Sequence, residues 1–463
     1  MRSRAVFLAA ILMLVLAACG ARLTREQRLA GIGSVTVGTG GEGGIVDPNQ
    51  TVGPGGGGTI SPTGGGTSGP GGGGGGVPAP PGGNGGATDV GVTANSITLA
   101  VGSDLSGVQG GLFRSTHQAM SAWAAMINSQ GGLFGRRVNL KLRDTQARDT
   151  SNAAVVSDSC RDSFAMVGSM SAFDGGGAPP GEACGIPDIT AITVNDRRSK
   201  ASNVYPVYPV RADKIPIGPA NYIKEKYPDV IDHAAMVYLN AGVTKANALQ
   251  RVKAYESVGF KFKVYEVQVL EANYTPTVQR MKDDGVEYVT MVANYQSIQK
   301  LVQAMDQQNW FPKVRDWDSV AYAPNFVTCG SAACPGAEGS LIFLNITLNE
   351  EVSSNPELQL YQQWLNRVAP GSKPDYFGFY AWSAGQLFAK VHKDVGAKIT
   401  RKAFLAGLKN VHSWNGNGLH AAHDIGNKIM SPCFLYVEVK GGKFVRRDPA
   451  SAFMCNKGPV INT

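Results

Sequence analysis

Of the 59 glycines in this 463-residue chain, 26 fall between Gly31 and Val90, together with seven prolines. That segregation confines any packed fold to the residues beyond Val90. Residues 20–90 carry few charges and no sustained apolar period, so they bury too little surface to offset the entropy of ordering and read as a tether. The poly-Gly run Gly71 to Gly76 is not a phosphate loop, because no Lys-Ser/Thr follows it and no strand precedes it. The remaining residues, from Gly91 to Thr463, suffice for two or three domains and exclude a single small module. Net charge is +8, but no Lys/Arg block is longer than two, which argues for a solvated surface and against a nucleic-acid stripe.

The N-terminus carries an address. Arg2 and Arg4 precede an apolar run from Ala5 to Ala18, shorter than the roughly 20 residues a membrane-spanning helix needs, so the run is a signal-peptide core. Leu16-Ala17-Ala18-Cys19 then resembles a bacterial lipobox. Residues 1–18 are therefore expected to be removed, and 19–91 to form a tether lipidated at Cys19. A diacylglyceryl group brings the two acyl chains that stable attachment requires, placing the protein outside the cytoplasmic membrane and anchored to it.

Six cysteines remain after Cys19. An even number in an oxidising compartment makes three disulfides the default, and proximity in sequence favours Cys160 with Cys184, Cys329 with Cys334, and Cys433 with Cys455. A metal site built from Cys329, Cys334, His412, His420, His423 and Asp424 is the alternative, but its spacing matches no common zinc pattern. No metal and no cofactor is expected.

From Asn95 onward, β-branched runs alternate with helical periods. Strands are expected at 96–101, 138–142, 164–167, 234–239, 262–269 and 286–292. Between them the apolar stripe Met120, Trp123, Ala124, Ile127 and the stripe Ile298, Leu301, Val302, Met305 mark helices, as do 152–160 and 244–258. Alternation of this kind implies parallel sheets with right-handed crossovers. Two long helices around 358–368 and 384–391 follow without an intervening strand and should pack on a domain already formed.

Several pieces, in order, resemble one family: Ile97 to Gly107, Ala125 to Arg136, Met166 to Ser171, Cys184 to Thr190, Tyr274 to Val278, Gln303 to Gln308, Tyr380 to Ala384, and Gly418 to Ile429. They are similar to the type I periplasmic binding proteins, nearest the leucine/isoleucine/valine-type substrate-binding subunits of ABC transporters. The resemblance implies an α/β fold of two Rossmann-like lobes with parallel sheets, joined by three crossover segments near Val207 to Arg211, Phe343 to Thr347 and Ala421 to Ser431. Lobe 1 would be 92–209 plus 346–421, and lobe 2 would be 212–343 plus 430–463. A small solute, an amino acid, amide or related carboxylate, would bind between the lobes of a monomer. The partners would be an ABC permease and separate ATPase subunits, since this chain has no Walker A motif.

The resemblance also implies site residues. A helix is expected to start at Gly168-Ser169-Met170-Ser171, offering free N–H groups and hydroxyls to a carboxylate. Ala191 and Thr193 fall near the second binding turn, Asn294-Tyr295 near the aromatic that lobe 2 presents, and Phe113 near the side-chain pocket. Amino-acid binders of the family pair the ligand ammonium with a lobe 2 acid, for which Asp318 is the nearest candidate without a clean alignment. An enzyme is not expected: Ser383 lies in no Gly-x-Ser-x-Gly elbow, and the His420/His423 pair is expected on the surface of a crossover. A sensor feeding a membrane receptor and a non-binding envelope protein are the competing readings of the same fold.

Overall fold

The computed structural model describes residues 76–107, 111–211, 213–329 and 332–463; the expected signal peptide, Cys19 and most of the tether lie outside them. Two sheets organise the chain. The first comprises β1 (Ser96–Ser103), β2 (Arg137–Asp144), β3 (Ala165–Val167) and β4 (Asp188–Ile189), all parallel in the order β2-β1-β3-β4. The second contains β5 (Ala234–Leu239), β6 (Phe262–Val267), β7 (Tyr288–Val292), β8 (Val314–Trp317), β9 (Leu341–Leu344), β10 (Leu435–Lys440) and β11 (Lys443–Asp448), in the order β11-β10-β9-β8-β7-β5-β6. Its strands are parallel except for β10 and β11, which close one edge antiparallel. No helix among the described residues is long and apolar enough to cross a membrane.

The helices follow from the apolar periods. On the first sheet, α1 (Arg114–Ser129) buries Met120, Trp123 and Ile127, and α2 (Asp149–Asp162) and the short α3 (Ala178–Cys184) flank it. On the second, α4 (Thr244–Glu256), α5 (Thr275–Asp283) and α6 (Tyr295–Gln307) link successive strands, and Ile298, Leu301, Val302 and Met305 of α6 are buried. The late helices α7 (Pro356–Val368) and α8 (Tyr376–Val395) pack back against α1, followed by α9 (Arg401–Lys409). Asp375 caps α8 by accepting from the Gly378 N–H at 2.7 Å. Inside that contact Gly385 leaves room for the Trp123 indole, which a Cβ there would meet at 2.6 Å.

Two sequence expectations change. Residues 76–91, read as the end of the tether, lie along the folded body. Val77 bridges to Leu133, the Asn84 amide donates to the carbonyls of Ala94 and Phe134, and Asp89 accepts from the Arg401 N–H. The fully buried Arg136 guanidinium donates to four carbonyls, those of Thr93, Ala397, Asn84 and Gly86. Further on, no helix starts at Gly168. Its φ of +71° turns the chain, and Met170 then donates back to the Gly102 carbonyl while Ala191 donates to that of Ser169. The segment is thus held extended beside β1 and β4, and only a 3-10 turn at Asp174–Gly177 precedes α3.

Disulfides join Cys160 to Cys184, Cys329 to Cys334 and Cys433 to Cys455. The second takes both of its thiols out of the alternative metal-ligand set.

Candidate functional site

Between the two sheets lies a cavity of about 180 Å³. From the first sheet, Met170 follows β3 and Ile192, Thr193 and Val194 follow β4. The strand-like stretch Tyr208 to Arg211 pairs alongside them, with the Tyr208 N–H donating to the Ala191 carbonyl and the Thr193 hydroxyl to that of Val210. Tyr208 stacks on Tyr380 of α8 at 5.1 Å between ring centres. From the second sheet come Asn247, Arg251 and Tyr255, spaced four apart and therefore on one face of α4, with Asp318 just past β8 and Phe343 on β9. Met430, near the last segment to pass between the sheets, completes the wall.

The lining is mostly apolar, with a few convergent polar groups, the usual composition of a small-molecule site. The Arg251 Nη2 donates to Asp318 Oδ2 at 2.5 Å, and its guanidinium lies 5.7 Å from the Phe343 ring centre. The Arg251 Nη1 is buried and has no hydrogen-bond partner. Arg211 is held in a fork by Asp213, with bonds of 2.9 and 2.6 Å. Burial pushes the phenols of Tyr208, Tyr255 and Tyr376 above their ordinary range, so all three stay neutral.

Of the residues expected to bind ligand, Met170, Thr193 and Asp318 line this cavity together. Ser169 and Ser171 face the interior of the first sheet: the Ser169 Oγ accepts from the Gly102 N–H at 3.0 Å, and the Ser171 hydroxyl donates to Asp104 at 2.8 Å. Ala191 is fully buried beside them. Asn294 caps α6 by accepting from the Ser297 N–H at 2.9 Å. Tyr295 lines a separate open pocket with Leu112, Pro324 and Lys373, and Phe113 is buried edge-on against Phe377 at 4.7 Å. Asp318 is already paired through Oδ2 with Arg251.

His420 and His423, expected on the surface, are 2% and 1% exposed. They stack on each other and lie tilted against Tyr380, and His420 Nε2 lies 2.9 Å from the Ser383 Oγ, which accepts from the Trp414 indole N–H. Burial lowers the His420 pKa to about 4. This serine–histidine pair lines none of the cavities described and orients nothing but its neighbours.

Arg251, Asn247, Tyr208 and Tyr376 escaped the sequence reading. The readable trace was α4 itself, where a cation sits between the apolar positions Ala248 and Val252.

A family profile described as periplasmic binding protein matches residues 96–443. The chain belongs to that family. Solved structures agree in fold. A fatty acid ABC transporter substrate-binding protein from Thermomonospora curvata superposes with a TM-score of 0.67 at 15% identity, over 81% of this chain and 94% of that one. A leucine-binding protein from Thermotoga maritima gives 0.63 at 16%, over 79% and 99%. A solute-binding protein of an ABC transporter from R. palustris, in complex with benzoate, gives 0.64 at 16%, over 80% and 98%. A sequence search of curated proteins finds no match. This periplasmic binding protein therefore has the type I fold, α/β with parallel sheets in two lobes, and its family is one of extracytoplasmic solute-binding proteins.

Proposed function

We propose that this protein is the extracytoplasmic solute-binding subunit of an ABC importer, lipid-anchored through Cys19 and without catalytic activity of its own. It takes a small solute, an amino acid, amide or related carboxylate, between two lobes, 92–209 plus 346–421 and 212–343 plus 430–463. Permease and ATPase subunits supply passage and energy. The observation that carries the reading is the cavity itself, walled by elements of both sheets and by the stretches Tyr208 to Arg211 and Met430 near the passages between them. Contacts with both lobes exist only when the lobes meet, so a solute favours closure by its differential affinity for the closed form. At about 180 Å³ the cavity is below the roughly 300–1,000 Å³ of drug-sized sites, which favours a small solute.

The test is a thermal-shift screen of small solutes with the full-length protein and with Val194→Trp, which fills the cavity. A ligand at 100 times its Kd stabilises by about 2.7 kcal/mol. The expected result is a shift with the native protein that Val194→Trp abolishes. A shift of equal size in both would place the solute elsewhere.

A further inference from the structure

Among the described residues that line the cavity, the charged side chains are two cations, Arg211 and Arg251, and one anion, Asp318. The Arg211 charge is met by Asp213 through two bonds, and Asp318 Oδ2 is paired with one Nη of Arg251. A buried ammonium needs a carboxylate of its own, because a desolvated cation without a counter-charge is very costly. Among the described residues the lining offers only Asp318, already paired with Arg251, and would set such a cation beside that guanidinium. The opposite holds for an anion: the second Nη of Arg251 is buried and unpartnered, and a buried donor left unmade costs free energy that a ligand oxygen recovers. Ile192, Val194, Val320, Phe343 and Met430 line the same cavity and suit an apolar body.

Taking the solute-binding cleft proposed above as given, we propose that its ligand is a small monocarboxylate with an apolar body and no ammonium group, its carboxylate seated on the free Nη1 of Arg251. Asn247, one turn before Arg251 on the same face of α4, is placed to donate to the second carboxylate oxygen. The anion is thus held from the second lobe, by an arginine. The hydroxyls of Ser169 and Ser171 take no part, since they are bonded within the first lobe.

The test is isothermal titration of the full-length protein with two matched sets: isocaproate, leucine and isocaproamide, and hydrocinnamate, phenylalanine and hydrocinnamide. The carboxylates are expected to bind at least about tenfold more tightly than either counterpart, as a charge-assisted bond to a guanidinium requires. The variant Arg251→Gln with Asp318→Asn removes both charges without stranding either, and should bring the preference for carboxylate over amide to about one. Amino acids binding as well as their des-amino counterparts would overturn the exclusion of ammonium and leave the cleft reading standing. Amides matching carboxylates in the native protein would overturn the Arg251 anchor, as would a preference that survives the double variant. Failure of the whole panel would overturn the ligand class, while ligand-driven compaction with another solute would still support the cleft. Carboxylates binding undiminished to Val194→Trp would instead refute the cavity as the site.

Discussion

Replacing Arg136 with Met keeps the apolar stem and removes the guanidinium that joins residues 84–93 to the turn at Ala397. Four bonds are lost, to the carbonyls of Asn84, Gly86, Thr93 and Ala397, at 2.7 to 2.9 Å. A bond from a charged donor contributes roughly 1.5–3 kcal/mol. The Asn84 and Gly86 carbonyls lie on a surface segment and regain water if it lifts, so their loss is largely offset. Those of Thr93 and Ala397 belong to the body, and counting them alone gives about 3 to 6 kcal/mol, a large share of the roughly 5–15 kcal/mol of a typical domain. Urea unfolding reads the loss, and hydrogen exchange localises it, with amides of 77–91 losing protection first. A loss below about 1 kcal/mol, with exchange in 77–91 unchanged, would refute the claim that this segment belongs to the folded body.

Ser171→Ala should destabilise the ligand-free protein by about 2 kcal/mol, because its hydroxyl bonds the Asp104 carboxylate and accepts from the Phe173 N–H; a melting temperature equal to the native protein's would contradict that role. Four buried histidines make a contribution to stability that rises between about pH 4.5 and 6. Burial lowers His117 to about 4, His392 to about 3 and His420 to about 4, and holds His423 well down, all from an ordinary 6.5. In that window the unfolded chain binds four protons that the folded one does not, so each of these groups favours folding as pH rises. Asp174 and Asp316, raised by burial to about 7, act in the opposite sense, as do Asp188 and Asp375, which burial also raises. Each histidine contributes at most roughly 1.4 kcal/mol per pH unit in that window, so His392→Phe should lower the slope of stability between pH 4.5 and 6, and a slope equal to the native protein's would refute this reasoning.

What the sequence disclosed was what is local. The run Ala234 to Leu239 is apolar throughout and is the strand β5, and the stripe Ile298 to Met305 is buried on α6. Strand β8 was illegible for a tertiary reason: Val-Arg-Asp-Trp has no strand pattern, and its Asp316 is buried because hydroxyls of Tyr288 and Tyr436, from two other strands, bond to it. The end of the tether misled for a related cause. Its composition gives it nothing to bury, but its carbonyls and Asp89 meet Arg136 and Arg401, whose partnership no local pattern announces. At the site, Met170, Thr193 and Asp318 were implied by the family resemblance, and they line the cavity because they follow strands, where loops converge between the sheets. Arg251 was not, because a lone cation on an amphipathic helix reads as solvated until the facing element is known to carry Asp318.

The central claim is that solute draws two lobes together around this cavity. Small-angle scattering of the protein, with and without a solute identified by the thermal screen, tests it most directly. The account predicts a smaller radius of gyration at saturating solute and no change for Val194→Trp at the same concentration. An unchanged radius of gyration in the native protein, at a solute concentration where binding is complete, would contradict it.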